Sequence, residues 1–186
     1  VNADDTGAVP GWTSPSGWNQ LWDRYISAGG TSYHFIVEWK RASGSEPSSY
    51  TWSWSTSATN STYADVAMAV YRGANTGTVI DVSGLGSETT TTTHTAPSVS
   101  AAYTNDMWVV VAVEDNYSDW TPASGFTERY DTADHGAMFA DKLLSSGGAT
   151  GTAAFTTGSS GGGIAGSILL IDADPGPTVQ ITGSAV

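Results

Sequence analysis

Short runs of strand-forming residues recur along the chain between clusters of Gly, Pro, Ser, Asn and Asp, and no segment carries an apolar stripe at helical spacing. Residues 108–113, WVVVAV, are apolar throughout, which is typical of a central strand covered on both faces. Tyr50, Trp52 and Trp54 alternate with hydroxyl residues, which predicts a half-buried strand with three aromatic rings on one face. The predicted strands are 33–40, 49–55, 64–72, 99–102, 107–114, 127–130, 137–142, 150–157 and 164–172.

Composition favours the same structural class. The 186 residues include 22 Gly, eight Trp and eight Tyr among many Ser and Thr, which are middling or poor helix formers. We therefore expect an all-β fold, a two-sheet antiparallel sandwich of the jelly-roll type that is built from two similar halves. One domain should cover residues 1–174, with halves at about 1–75 and 96–172, a connector at 76–95 and a C-terminal arm at 175–186.

An internal repeat predicts the two halves. Gly11–Trp18, GWTSPSGW, is similar to Asp119–Phe126, DWTPASGF, and the tryptophans and glycines of the two stretches are 108 residues apart. His34–Lys40 aligns with His135–Lys142 at offsets of 101 and 102. Val1 then corresponds to a position inside the apolar central strand. We expect that the first copy lacks its opening strand, which either precedes Val1 in a longer polypeptide or comes from a neighbouring chain.

Charge and cysteine content exclude several classes of protein. Six Lys and Arg stand against 18 Asp and Glu, for a net charge of −12, and the scattered cations form no patch that would bind phosphates. We therefore expect neither nucleic acid nor a membrane as a partner. The absence of Cys excludes thiolate metal sites, iron–sulfur clusters and thiol nucleophiles. The apolar runs are far shorter than the roughly 20 residues that span a bilayer.

The motifs that suggest catalysis lack their structural context. Residues 161–166 match G-x-G-x-x-G and residues 158–162 match G-x-S-x-G, but neither match lies between a strand and a helix. We expect no catalytic residue, no cofactor and no metal ligand, and hence no enzyme. The acids at Asp4–Asp5 and Glu114–Asp115 are interpreted as solvated groups at strand ends, with a calcium site as the alternative.

Two tryptophans are the candidate contact residues. Trp12 and Trp120 lie in matched loops among Gly, Asp, Ser and Pro. Each indole either covers the core or contacts a partner protein or a glycan. The other tryptophans on predicted strands are interpreted as core residues.

Six stretches of the chain carry a resemblance to a known family: Pro15–Trp18, Gly44–Trp52, Val70–Gly73, Ile80–Val82, Thr95–Val99 and Pro122–Tyr130. Together they resemble a β-sandwich module that is common in virion proteins of tailed bacteriophages and in bacterial surface proteins. The resemblance spans roughly residues 1–172. It implies a virion surface component, such as a capsid decoration protein or a tail or fibre module, and it brings no catalytic residue with it.

The resemblance leads us to expect a non-enzymatic virion structural protein, a capsid decoration or cement protein or a tail appendage, at the virion surface or outside the cell. The expected partners are the major capsid or tail protein and further copies of the chain in a homo-oligomer. Edge strands, the Thr-rich residues 83–95 and the C-terminal arm would make the contacts. The alternative is a lectin-like, carbohydrate-binding surface module that uses Trp12 and Trp120, because a fold alone does not determine a function.

Overall fold

The computed structural model describes residues 12–27, 33–54, 66–132, 136–173 and 183–185. Within these ranges the chain is all-β and contains no helix, which confirms the predicted class; accordingly, no helix there is long and apolar enough to cross a membrane. The strands are β1 (Asn19–Ile26), β2 (Tyr33–Trp39), β3 (Ala69–Tyr71), β4 (Ile80–Leu85), β5 (Thr89–Ala96), β6 (Ser100–Ala101), β7 (Met107–Glu114), β8 (Trp120–Thr121), β9 (Thr127–Thr132), β10 (Ala137–Leu143), β11 (Gly148–Ala149), β12 (Ala153–Leu170) and β13 (Gly183–Ala185).

The chain divides into two compact units, residues 1–64 and 65–186. In the second unit, a large antiparallel sheet has the strand order β4-β12-β7-β10-β9. Along its second half β12 lies between β4 and β7, whereas nearer its start it pairs with β5 and β8. One strand of 18 residues therefore serves two groups of partners, as strands do at the corners of β-sandwiches.

The core of the second unit lies on one face of this sheet. Trp108, Val110 and Ala112 of β7 pack into it beside residues of β10 and β12. On the other face of β7, Met107 and Val109 are buried and Val111 and Val113 are half-buried. The prediction that this apolar run is covered on both faces is confirmed up to Val110, and the cover is partial at Val111 and Val113.

Glycines allow β12 to continue through a crowded stretch. A Cβ atom at Gly161 would lie 1.9 Å from Oε2 of Glu114, and one at Gly163 would lie 2.4 Å from the carbonyl oxygen of Val113. Only glycine fits at these two positions. The prediction of separate strands at 150–157 and 164–172 with a loop between them was wrong, because these glycines keep the backbone within the sheet.

In the first unit, β1 and β2 form an antiparallel hairpin. The predicted strand at 49–55 was wrong for its described residues 49–54, where only Ser53 makes a β-bridge, to Thr13. The N–H of Thr13 donates to the carbonyl of Ser53 at 2.8 Å, and the N–H of Ser53 donates back at 3.2 Å. The aromatic alternation of this segment reflects ring packing on Trp18 rather than a strand ladder.

The hairpins β1–β2 and β9–β10 have the same register. Asn19 pairs with Trp39, and the residues 108 and 102 positions further on, Thr127 and Asp141, pair with each other. Adding 108 to the residue number in β1 and 102 to the residue number in β2 also gives every other residue pair of β9–β10. The predicted correspondence between the two copies is therefore confirmed for these strands.

The two hairpins also share a β-bulge. The extra residue is Leu21 in β1 and Arg129 in β9, which are 108 residues apart. At the offset of 102 the counterpart of His34 is Gly136, so the alignment of His34 with His135 was wrong; His135 itself lies outside the described residues.

The predicted connector and the predicted C-terminal arm both contribute strands to sheets. The connector at 76–95 contains β4 and most of β5, and both strands pair with β12. The Thr-rich β5 forms a strand because His94 and Ala96 are buried while most of its threonines are exposed. In the C-terminal arm, β13 pairs with β3, which is shorter than the predicted 64–72. Residues 1–5 and 174–182 lie outside the described ranges.

Candidate binding surface

The same tight turn precedes both hairpins. The N–H of Trp18 donates to the carbonyl three residues earlier at 3.3 Å, and the N–H of Phe126 does so at 3.1 Å. The third turn residue is Gly17 with φ of 85° in one copy and Gly125 with φ of 83° in the other. A left-handed residue at this position defines a type II turn, which favours glycine. The shared Ser-Gly-aromatic sequence thus gives both copies the same backbone before the hairpin.

A lysine stem covers this turn in the first unit. Cε of Lys40 lies 3.2 Å from the position that a Cβ atom would take at Gly17. Nζ of Lys40 donates to Glu46 at 2.6 Å and to the hydroxyl of Tyr50 at 3.0 Å. The hydrogen bond from Lys40 and those from Ser43 lower the pKa of Glu46 to about 2. This exposed network holds the side chains of Lys40 and Tyr50 in place.

Glu38 of β2 holds several side chains around its carboxylate. Its Oε1 accepts hydrogen bonds from Nε1 of Trp12 at 3.0 Å and from the hydroxyl of Ser14, and its Oε2 accepts one from Nε1 of Trp52 at 2.7 Å. Trp54 stacks on Trp12, with ring centroids 6.0 Å apart and an interplanar angle of 23°. We call these five residues the Glu38 cluster.

The Glu38 cluster is held in place but is not closed off. All five side chains are half-buried, so parts of the ring surfaces face solvent. Trp18 extends the surface, because it packs edge-on against Trp52 at 5.1 Å and against Tyr50 at 5.3 Å. Charge-assisted hydrogen bonds from two indoles to one carboxylate restrict ring movement. The result is a pre-organised aromatic surface of the composition that is enriched in interfaces.

The equivalent positions of the second unit form a closed core. The counterpart of Glu38 is Ala140, which is 0% exposed. Thr13 bridges Ser53, and the residues 108 and 103 positions further on, Thr121 and Thr156, pair with each other. By these offsets the counterpart of Trp54 is Thr157 and that of Trp52 is Phe155, which is 0% exposed. Trp120 is 4% exposed and donates Nε1 to the carbonyl of Gly136 at 3.1 Å. The two candidate tryptophans thus lie in different units, Trp12 on a half-buried surface and Trp120 in the core.

Sequence reasoning did not single out Glu38, and it interpreted Trp52 and Trp54 as core residues. A signal was present in the repeat, since the position that is alanine in one copy, Ala140, is acidic in the other. A carboxylate inside a strand as apolar as FIVEW requires several donors nearby, and Trp12 and Trp52 supply them.

The acids at the end of β7 organise a loop. Glu114 is 1% exposed and accepts hydrogen bonds from the N–H of Asn116 at 2.8 Å and of Ser118 at 3.0 Å, so its interpretation as a solvated group was wrong. Burial raises the pKa of Glu114. Oδ1 of Asp115 accepts the N–H of Gly162 at 2.6 Å. Throughout the described part of the chain, no group of three or more His, Asp or Glu side chains is placed to hold a metal ion.

Comparison with known proteins found no match. No protein-family model, no curated protein and no solved structure matches it. A role for the Glu38 cluster must therefore be derived from its own geometry and chemistry.

Proposed function

We propose that this chain is a non-enzymatic structural module of a virion surface, a capsid decoration protein or a tail appendage, which docks on a repetitive protein array through the Glu38 cluster. The supporting observation is the contrast between the two units. Aromatic positions that are buried in the second unit are half-buried in the first, where Glu38 pins Trp12 and Trp52. The sequence resemblance to virion modules supports the choice of partner.

The chemistry of the cluster suits protein docking. Tryptophan and tyrosine dominate the binding energy of many interfaces, because their large apolar area is combined with a polar edge. Rings already held by Glu38 lose little conformational freedom on binding. A repetitive array also multiplies modest contacts, since each copy in a homo-oligomer raises the effective concentration of the next.

The first test uses virions purified from a culture of the phage whose genome encodes this chain. Mass spectrometry of intact particles should find the chain in many copies per particle, together with the major capsid or tail protein. Absence of the chain from washed particles would contradict the proposal.

Variants of the cluster provide the second test. Trp12→Ala and Trp54→Ala should each weaken binding of the purified chain to particles by about tenfold or more. Tyr103→Ala is the control, because Tyr103 is an aromatic residue of the second unit that is 45% exposed. Equal binding by all three variants, with circular dichroism showing that each is folded, would rule out the cluster as the docking surface.

A carbohydrate-binding module is the second candidate. The stack of Trp54 on Trp12 favours it, because an exposed flat indole can pack on a sugar ring. Binding to a polysaccharide panel that Trp12→Ala and Trp54→Ala abolish and Tyr103→Ala preserves would favour this candidate. Particle binding that saturating polysaccharide leaves unchanged would favour the virion module. Trp120 takes part in neither, since it is 4% exposed.

A further inference from the structure

Three aspartates meet at one end of the large sheet. Asp81 is the second residue of β4, Asp106 directly precedes β7, and Asp172 follows β12. Because β12 runs antiparallel between β4 and β7, the starts of these two strands and the end of β12 lie together. Asp106 is 0% exposed and Asp172 is 1% exposed. Two of the three carboxyls are thus withdrawn from water.

Asp106 lies against another acid instead of a donor. Among the described residues, neither of its carboxyl oxygens has a hydrogen-bond partner. Burial and the nearby carboxyl of Asp81 raise the pKa of Asp106. Two carboxyls can share a hydrogen bond only when one of them carries a proton, because two ionised carboxylates are both acceptors.

The surroundings of Asp106 favour its protonated form. Burial, the contact with Asp81 and the negative charges of Asp81 and Asp172 raise the pKa of Asp106 to about 7. The charged groups that act on it, Asp81 from β4 and Asp172 from the end of β12, are both acidic. The nearby segments contribute backbone N–H groups, from Ala102 after β6 to Asp81 and from Leu144 after β10 to the carbonyl of Asp106.

We propose that the Asp81–Asp106 pair is a proton-operated lock on this end of the large sheet. A single shared proton joins the two carboxyls across the ends of β4 and β7. When the proton leaves, two carboxylates face each other beside Asp172 and repel. The carboxylate of Asp81 accepts a hydrogen bond from the N–H of Ala102 at 2.7 Å, and the backbone carbonyl of Asp106 accepts one from the N–H of Leu144 at 2.9 Å. Movement of the two aspartates away from each other therefore loosens both adjoining segments.

The direction of the pH effect follows from the two states of Asp106. In the unfolded chain Asp106 loses its proton near the ordinary value of about 4, whereas in the folded chain it keeps the proton up to about pH 7. The folded state therefore binds more protons between these values, and stability falls as the pH rises through them. The lock is closed below neutral pH and opens above it.

Thermal unfolding of the full chain at pH 5 and at pH 8.5 tests the lock. Asp106→Asn keeps the shape of the side chain and remains neutral at both values. Relative to the wild type, its Tm should be similar at pH 5 and higher by roughly 5–10 °C at pH 8.5. The control is Asp119→Asn, which removes one exposed negative charge in the same unit without touching the pair. A parallel fall of Tm in the wild type and Asp106→Asn would overturn the proposal.

Two further measurements apply to the wild-type chain and do not depend on a variant folding. Carboxyl carbon resonances followed by NMR should show one aspartate that titrates near pH 7, and ordinary titration of every aspartate would overturn the lock. Amide exchange at Ala102 should accelerate between pH 5 and 8.5 beyond the intrinsic change, while that of Gly86, bonded to the carbonyl of Ala165, should not. Calcium that restores the Tm at pH 8.5 beyond the effect of ionic strength would show a cation ligand instead of a proton.

Discussion

The hairpins β1–β2 and β9–β10 have the same backbone arrangement and differ in how deeply their strands are buried. Both have the same turn, the same bulge position and the same register. β10 is buried from Met138 to Asp141 and pairs with β7 on the side away from β9, whereas β2 is half-buried along its whole length. Turn glycines and register therefore specify the hairpin, and separate positions decide whether its face closes into a core.

The difference in burial comes from positions at which the two copies have different side chains. Glu38 replaces Ala140, and the bulge residue is Leu21 in one copy and Arg129 in the other. Arg129 donates to Asp141 at 2.9 Å, whereas the equivalent residues of the first hairpin, Leu21 and Trp39, are both apolar. The bulge persists with either chemistry, which indicates that its geometry belongs to the backbone of the repeat.

The largest effect is expected when the acid is moved into the closed core. In Ala140→Glu a carboxylate would replace a side chain that is 0% exposed. We expect a loss of about 4 kcal/mol or more in the free energy of unfolding, because a buried charge without donors is strongly destabilising. Urea denaturation measures it. Ala140→Met, which adds volume without charge, should cost about 1–3 kcal/mol. Equal stability of Ala140→Glu and the wild type would refute the closed core.

The reverse exchange should have a smaller effect. Glu38→Ala removes the acceptor of Trp12, Ser14 and Trp52, and we expect a loss of about 1–3 kcal/mol together with a changed tryptophan emission spectrum. Glu38→Gln is the control, since its amide keeps one acceptor oxygen and should retain part of the stability. A loss below about 0.5 kcal/mol in Glu38→Ala would show that the carboxylate does not hold the cluster.

A smaller effect is expected from substitutions at the two turn glycines. Gly17→Ala and Gly125→Ala both force a side chain into the left-handed region, so each should cost about 1 kcal/mol, with similar values for the two. Gly44→Ala is the control, because a Cβ atom at Gly44 meets no atom within 4 Å and its φ is not positive. A clear cost at only one of the two turns would contradict their equivalence.

The smallest effect is expected from Trp54→Thr, which introduces the residue found at the counterpart position, Thr157. The variant removes a half-buried ring stack, so we expect a loss of about 1 kcal/mol or less. Tryptophan emission should shift to the red as Trp12 gains exposure. An unshifted spectrum would show that Trp54 does not shield Trp12.

Several strands could be predicted from local pattern, and the failures have physical reasons. β7 is apolar from Met107 to Val113 and β10 from Ala137 to Ala140, and both strands appear where the sequence indicated. β1 was missed because the bulge at Leu21 interrupts the alternation of apolar and polar positions. The glycines of β12 resemble a loop in sequence, yet they are required by the close approach of Glu114.

The candidate site was only partly predictable. Trp12 stands out among small polar residues, but its surroundings depend on Glu38 and Trp52, which are 26 and 40 positions away. Trp120 has the same local sequence and is nevertheless buried, because the residues that cover it come from distant strands. Local sequence therefore cannot distinguish a surface tryptophan from a core tryptophan in this repeat.

The equivalence of the two hairpins is tested most directly by cross-strand NMR contacts around the two bulges. We predict that Gln20 and Trp22 face Glu38 and Val37 in the first unit, and that Glu128 and Tyr130 face Ala140 and Phe139 in the second, with Leu21 and Arg129 as the extra residues. A register of β1 against β2 that is shifted by one residue relative to β9 against β10 would contradict the account.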